Sequence, residues 1–339
     1  MARSLAAAQK LAERLRFSGD TLKRSSEGDT RHTERFRHFL FHNELQVNPM
    51  VTPLIAGCLA RVYERLHVPN GAVEAFVFPS AEIQAECHSG STSECVIRLS
   101  SALVDILDDD EIEFVAGHEL GHFLLGHGIA KRESATESLE FFMQQRCQEI
   151  SVDRLGLLAC QSLDVAVRAL MKTASGLTSR HLRFDVGTFV SQLRVIADGA
   201  SVGNMTASHP PILVRCRALL WFSLNEFVTR GESHFSSARM AKLDNLITKD
   251  LHRFVDGPAR GHIEDAKRDL ALWMAAYEVV QDGVFVKHEQ KLLTEMFGCE
   301  LVGRLKTFLA NVPASEVRDA VSERMTAARN ELEGFIPTS

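Results

Sequence analysis

Residues 108–128 read DDDEIEFVAGHELGHFLLGHG. Ile112, Val115 and Leu120 recur at helical spacing, and Asp108, Asp109 and Asp110 load what would be the positive end of a helix dipole. Asp108 with Glu111 three residues on fits a capping box, so a helix is expected from Asp110 to Gly126. Within it stands His118-Glu119-Leu120-Gly121-His122. Spacing of i and i+4 puts both imidazoles on one face a turn apart, where both can bind one Zn2+, with Glu119 rotated toward a water on that metal.

Two histidines leave a catalytic zinc short of its usual three protein ligands. A third histidine at the extended H-E-x-x-H-x-x-G-x-x-H spacing needs glycine at 125 and histidine at 128, but the chain has Leu125 and Gly128. His127 lies five residues past His122, off the ligand face, and reads as a polar helix end. The alternative is a glutamate on a later helix. Glu149 has Asp153 one turn on, where a carboxylate can accept a hydrogen bond from a ligand imidazole; Glu133, Glu137 and Glu140 compete without such a partner. A solvated helical face is the bland reading of the Glu149/Asp153 pair. Ser208-His209-Pro210-Pro211 opens a further helix after residues 200–207, and His209 is either a capping or surface residue or is fixed before a helix N-terminus to meet an anionic group.

Around this core of motifs the chain is mostly helical. Asn48-Pro49 reads as an N-cap and N1 pair for a helix ending near Leu66. Val73–Phe78, Glu82–Cys87 and Glu94–Leu99 read as the strands of a small antiparallel sheet. From Ser101 the period is near 3.6 throughout, so the fold class is α+β, one small sheet serving many helices.

The 339 residues, 45% hydrophobic and 24% charged, exclude disorder and suit about two domains. No run approaches the roughly 20 apolar residues of a spanning helix. The net charge of −6 carries no footprint for nucleic acid. Residues 1–40 hold nine Lys/Arg against five Asp/Glu, a local +4. With Leu5, Ala8, Leu11 and Leu15 at helical spacing, this start reads as a docked helix, with peripheral membrane contact the lesser reading, and Ser18–Thr33 as a linker. Seven cysteines without a C-x-x-C suit free thiols and a cytoplasmic location.

Leu103–Gly128, QEISVDR at 148–154 and SHPP at 208–211 with Arg215 occur in the order seen in peptidase family M48, the group of heat-shock membrane proteases and CAAX-prenyl proteases, which the chain resembles over about residues 45–225. The resemblance implies a zincin-like (gluzincin) domain with one Zn2+ held by His118, His122 and Glu149, and Glu119 as general base and acid. It further implies Asp153 as the partner of a ligand histidine, His209 as a transition-state stabiliser and Arg215 in a positional role. A peptide or protein substrate is expected to lie extended on an edge of the sheet, at Glu94–Leu99. Two features depart from the family: the spanning helices of many relatives are absent, and Ile83–Cys87 reads IQAEC where an Asn-Ala-Phe segment is common.

Residues 263–297 follow a helix, Asp282-Gly283 turn, then Glu289-x-x-Leu292 pattern that resembles the TerB-type helical domain of tellurite-resistance proteins. Leu292, Leu293, Met296 and Phe297, with Trp273 and Tyr277, are expected in its core. The expected organisation is a helical or linker segment at 1–44, a zinc metallopeptidase domain at 45–235 and an all-α TerB-like domain at 236–339 able to bind a protein partner. The expected activity is a soluble zinc-dependent metalloendopeptidase; the alternative is a zinc-binding, latent or weakly active relative that works as an interaction module.

Overall fold

The computed structural model describes residues 3–21, 30–89, 93–127, 138–194, 206–280 and 285–335. Its contacts divide it into two units: Met1–Arg132, Gln144–Gly203 and Ala207–Val255 form the first, and Glu133–Met143, Asn204–Thr206 and Asp256–Ser339 the second. The turn at Asp282-Gly283, Glu133 and Glu137, and nearly all of 200–207 lie outside the described residues.

In the first unit α1 (Leu5–Leu15) buries Ala8, Leu11, Ala12 and Leu15, so the stripe that a membrane surface would have taken lies inside the protein core. After α2 (Thr30–Asn43), strand β1 (Leu45–Gln46) leads into a turn closed by Asn48, whose Oδ1 accepts from the N–H groups of Met50 and Val51 at 3.0 Å each. The helix α3 (Pro53–Arg65) therefore starts four residues later than expected, with Pro53 rather than Pro49 in its first turn.

Strands β2 (Val73–Phe78), β3 (Ala85–His88) and β4 (Cys95–Ser100) complete one sheet in the order β1-β2-β4-β3. The sheet is mixed, not antiparallel: β2 and β4 run parallel, Val73 opposite Cys95, while β1 and β3 are antiparallel to their neighbours. β3 turns back onto β4, whose other side takes β2, so the expectation that Glu94–Leu99 offers a free edge fails because both sides of β4 are paired. The edges are β1 and β3.

Against the sheet pack α4 (Ser101–Ile106) and α5 (Asp109–Leu125), and the chain continues into α6 (Leu139–Cys160) and α7 (Leu163–Ser175), the latter packed on α5. They are followed by α8 (Val186–Ser191), α9 (Ile212–Ser223), α10 (Glu226–Arg230) and α11 (Ser237–Leu251). α11 groups with the first unit: its Asp244 pairs with buried Arg154 of α6 and accepts from Ser18 N–H at 3.0 Å.

The second unit contains α12 (Gly257–Val279), α13 (Lys287–Phe297), α14 (Cys299–Ala310) and α15 (Val317–Phe335). Leu272, Trp273, Ala276, Leu293, Val302, Leu305 and Val321 form its core, with the Trp273 and Phe308 rings edge-on at 5.1 Å. Leu293 is buried and Phe297 packs on the core one turn away, but Leu292 and Met296 face outward at 46% and 61% exposure, against expectation. A single helical face cannot hold all four side chains.

Candidate metal centre

α5 is enclosed on nearly every side, from Ile112 and Phe114 to Phe123 and Leu124, as an all-round apolar helix must be. The Glu111 carboxylate accepts from Asp108 N–H at 2.8 Å at its start. That carboxylate is itself buried, and Lys172 of α7 meets it at 2.6 Å and Asp108 at 3.0 Å. At the other end Gly126 takes the left-handed conformation, φ +76°, and its N–H caps His122 and Phe123.

Gly117 and Gly121 form a side-chain-free stripe beside the two histidines of α5. A Cβ on Gly117 would lie 2.4 Å from Ala159 Cβ, and one on Gly121 would lie 2.9 Å from Val152 Cβ. Gly156 on α6 is as tightly set against Phe114. This close helix-on-helix approach delivers Glu149, one turn before Val152, to the histidine face of α5.

His118, His122 and Glu149 consequently converge, with one potential ligand atom from each lying within 4.8 Å of the others. His118 Nε2 is 3.5 Å from Glu149 Oε2, and His122 Nε2 is 3.4 Å from Glu149 Oε1. Bonds of about 2.0–2.2 Å in a tetrahedral shell separate ligand atoms by about 3.3–3.5 Å, so the spacing fits zinc. Glu149 Oε2 is buried and has no hydrogen-bond partner among the described residues, an orphaned lone pair that a cation would satisfy. Burial works against ionisation of Glu149, but His118, His122 and Arg215 outweigh it and hold its carboxyl well below the usual carboxylate range.

The surrounding residues orient this set. His118 Nδ1 bonds Asp153 Oδ1 at 3.0 Å, which turns Nε2 toward Glu149. Arg215 of α9 grips Asp153 with two bonds, Nε to Oδ2 at 2.8 Å and Nη2 to Oδ1 at 2.6 Å. His209 is exposed, with Nε2 3.5 Å from Glu149 Oε2 and Nδ1 2.8 Å from Ser208 Oγ. Glu119 is 9% exposed, and its carboxylate makes no hydrogen bond or ion pair found among the described residues. All seven residues expected at the site lie in this neighbourhood, and of the competing glutamates only Glu140 is described, outside the cluster.

Sequence reading missed the contacts of His127, taken there as a polar helix end, and missed Asp20 altogether. His127 Nδ1 lies 3.0 Å from His122 Nδ1, and its Nε2 lies 3.0 Å from the buried Asp20 Oδ2. The signal was Gly126: past a left-handed glycine the chain reverses, so a helical wheel misplaces His127, whose N–H returns to His122 O at 2.9 Å. Asp20 had no sequence signal.

A helix-borne histidine pair, a carboxylate from a second helix and an uncommitted carboxylate beside them make a candidate zinc centre of the class used in metal-assisted hydrolysis. Residues 55–144 match the model of peptidase family M48, a stretch that ends before Glu149. Metalloprotease YcaL of Escherichia coli (strain K12) is 49% identical over 39 residues, 12% of this chain and 15% of that protein. The plastoglobule-localized metallopeptidase 48, chloroplastic, of Arabidopsis thaliana is 28% identical over 190 residues, 48% of this chain and 55% of that protein. The chain thus spans about half, or far less, of the lengths of the curated relatives it matches. No solved structure matches. Both relatives carry metallopeptidase names, and no helix among the described residues is long and apolar enough to cross a membrane.

Proposed function

We propose that this protein is a zinc-dependent metalloendopeptidase of the M48 type. The observation that carries the reading is the convergence of His118, His122 and Glu149, with Glu149 Oε2 buried and without a hydrogen bond among the described residues, its nearest charged neighbours, His118, His209 and Arg215, each standing off at 3.5 Å. Zinc held by these three would supply a Lewis acid for the scissile carbonyl and an activated water.

The remaining steps belong to the chain. Glu119, without a hydrogen bond or ion pair among the described residues, takes the proton of the attacking water and passes it to the leaving amine. His209 supports the negative charge that develops on the carbonyl oxygen. Asp153 and Arg215 keep the His118 ring in its ligand orientation. The substrate extends along the side of β3 away from β4, which has no ladder partner among the described residues, while β3 also packs against α5. The second unit is proposed as a TerB-like module that binds a protein partner, and the free thiols suit a cytoplasmic setting.

The test is chelator-sensitive cleavage of unfolded casein. Glu119→Gln is expected to retain one zinc per chain and to lose cleavage. An unchanged cleavage rate in that variant would overturn the assignment of Glu119, and a wild-type chain that binds no zinc would overturn the proposal as a whole.

A further inference from the structure

Resting on that zinc reading, we infer that His127 and Asp20 are positioning residues for the ligand His122, so that the N-terminal segment is a built part of the metal centre. The directions of the hydrogen bonds follow from the partners. His122 faces Glu149 through Nε2 at 3.4 Å, and a ligand nitrogen must offer a lone pair, so the ring's hydrogen sits on Nδ1. A contact of Nδ1 to Nδ1 at 3.0 Å has room for one hydrogen, so His127 accepts there and carries its own hydrogen on Nε2. That hydrogen goes to Asp20 Oδ2 at 3.0 Å. Each link fixes the tautomer of the next.

Asp20 is a deliberate end point. It is 1% exposed, and a carboxylate so placed must be met by donors. Ser151 Oγ donates to Oδ2 at 2.8 Å and Gln144 Nε2 to Oδ1 at 3.3 Å, both from α6, the helix that carries Glu149. Ser151 Oγ also accepts from Phe17 N–H at 3.1 Å, which fixes the turn bearing Asp20. The two ligand histidines thus end on carboxylates in different ways: His118 directly on Asp153, and His122 through His127 on a residue more than a hundred positions upstream. Such outer partners set ring orientation and ligand basicity, and their loss typically weakens metal binding about 10- to 100-fold.

The experiment uses the full chain, with zinc affinity measured by competition against a chromophoric chelator and the visible spectrum of the Co2+-substituted protein as a second readout. His127→Leu fills the space without the bonds and is expected to weaken zinc about 10- to 100-fold and shift the Co2+ bands. His127→Gln offers an oxygen to His122 and an N–H to Asp20 at the spacing of the imidazole nitrogens, and is expected to restore affinity to within about threefold and the wild-type spectrum. Wild-type affinity in His127→Leu, or equal loss in His127→Gln and His127→Leu, would overturn the inference. Should His127→Leu fail to fold, His127→Asn replaces it: its amide is too short to reach both partners, and zinc binding equal to that of His127→Gln would sink the idea. A wild-type chain without zinc affinity would instead strike the proposed function itself.

Discussion

Gly117→Ala adds one carbon where the structure has room for none. The new Cβ would stand 2.4 Å from Ala159 Cβ, 3.1 Å from Gly156 Cα and 3.2 Å from Leu155 O. Carbon pairs rest at about 3.5–4.0 Å, and none of the three atoms is the end of a flexible side chain, so α5 and α6 must part by about 1 Å. Overpacking of this kind costs about 1–3 kcal/mol, against a helix-propensity gain of about 1 kcal/mol for replacing glycine, which leaves a net change between about zero and a loss of about 2 kcal/mol. Glu149 rides on α6, and about 1 Å is half a zinc–oxygen bond. Zinc should weaken about tenfold or more, and peptide cleavage should fall on the order of 100-fold. Urea unfolding of the metal-free chain reads the first effect and chelator competition the second. Gly303→Ala on α14 is the control, since nothing lies within 4 Å of a Cβ there, and it should stabilise by about 0.5–1 kcal/mol. Adding Ala159→Gly to Gly117→Ala removes the worst contact and should recover most of the zinc affinity. If Gly117→Ala is stabilising like Gly303→Ala and binds zinc as the wild type does, the close approach of α5 and α6 is not what places Glu149.

Two further outcomes are expected. Lys172→Met leaves the buried Glu111 carboxylate with Arg168 at 3.0 Å but without its nearest cation, and should cost about 3 kcal/mol in urea, the low end for a broken buried pair; a loss under about 1 kcal/mol would show that Arg168 alone suffices. Asp153 is held below its ordinary value of 3.8: burial opposes this, but Arg215 and His118 outweigh it. A carboxyl with a depressed folded pKa stabilises fully above its unfolded value and loses that contribution as pH falls through the folded one, so metal-free wild-type protein should lose stability below about pH 4. Asp153→Asn should show a flatter profile across pH 6 to 2, and parallel profiles would refute the Asp153–Arg215 account.

The parts legible in the sequence were those whose causes are local. Gly126 and the Asp108/Glu111 pair bracket α5 because helix ends need donors and acceptors supplied within a turn. Glu149 stood out from Glu140 because Asp153 follows it by four residues, and in the structure that spacing places Asp153 on His118. Sheet order was not legible, because the parallel pairing of β2 with β4 is decided by how β3 folds back, and alternation of side chains says which face is buried, not which strand lies alongside.

The N-terminal segment shows why the remainder of the site was hidden. Ser18–Thr33 is polar and turn-rich, which reads as a linker, and nothing local distinguishes Asp20 from its solvated neighbours. What makes Asp20 different lies far along the chain: the Ser151 hydroxyl, the Gln144 amide and the His127 ring, whose donors turn an expensive buried carboxylate into a satisfied one. The apolar stripe within the basic first 40 residues reads as a docked helix, and the stripe of α1, with Phe17 after it, lies inside the core. A carboxylate buried beside that stripe gains nothing for folding that an apolar residue would not supply as well, because even a fully satisfied buried charge roughly breaks even against its apolar replacement. Its retention there makes sense as orientation of the His127 and His122 rings, and it places the reason for the polar residue at 20 in the metal centre rather than in the stability of the N-terminal helix.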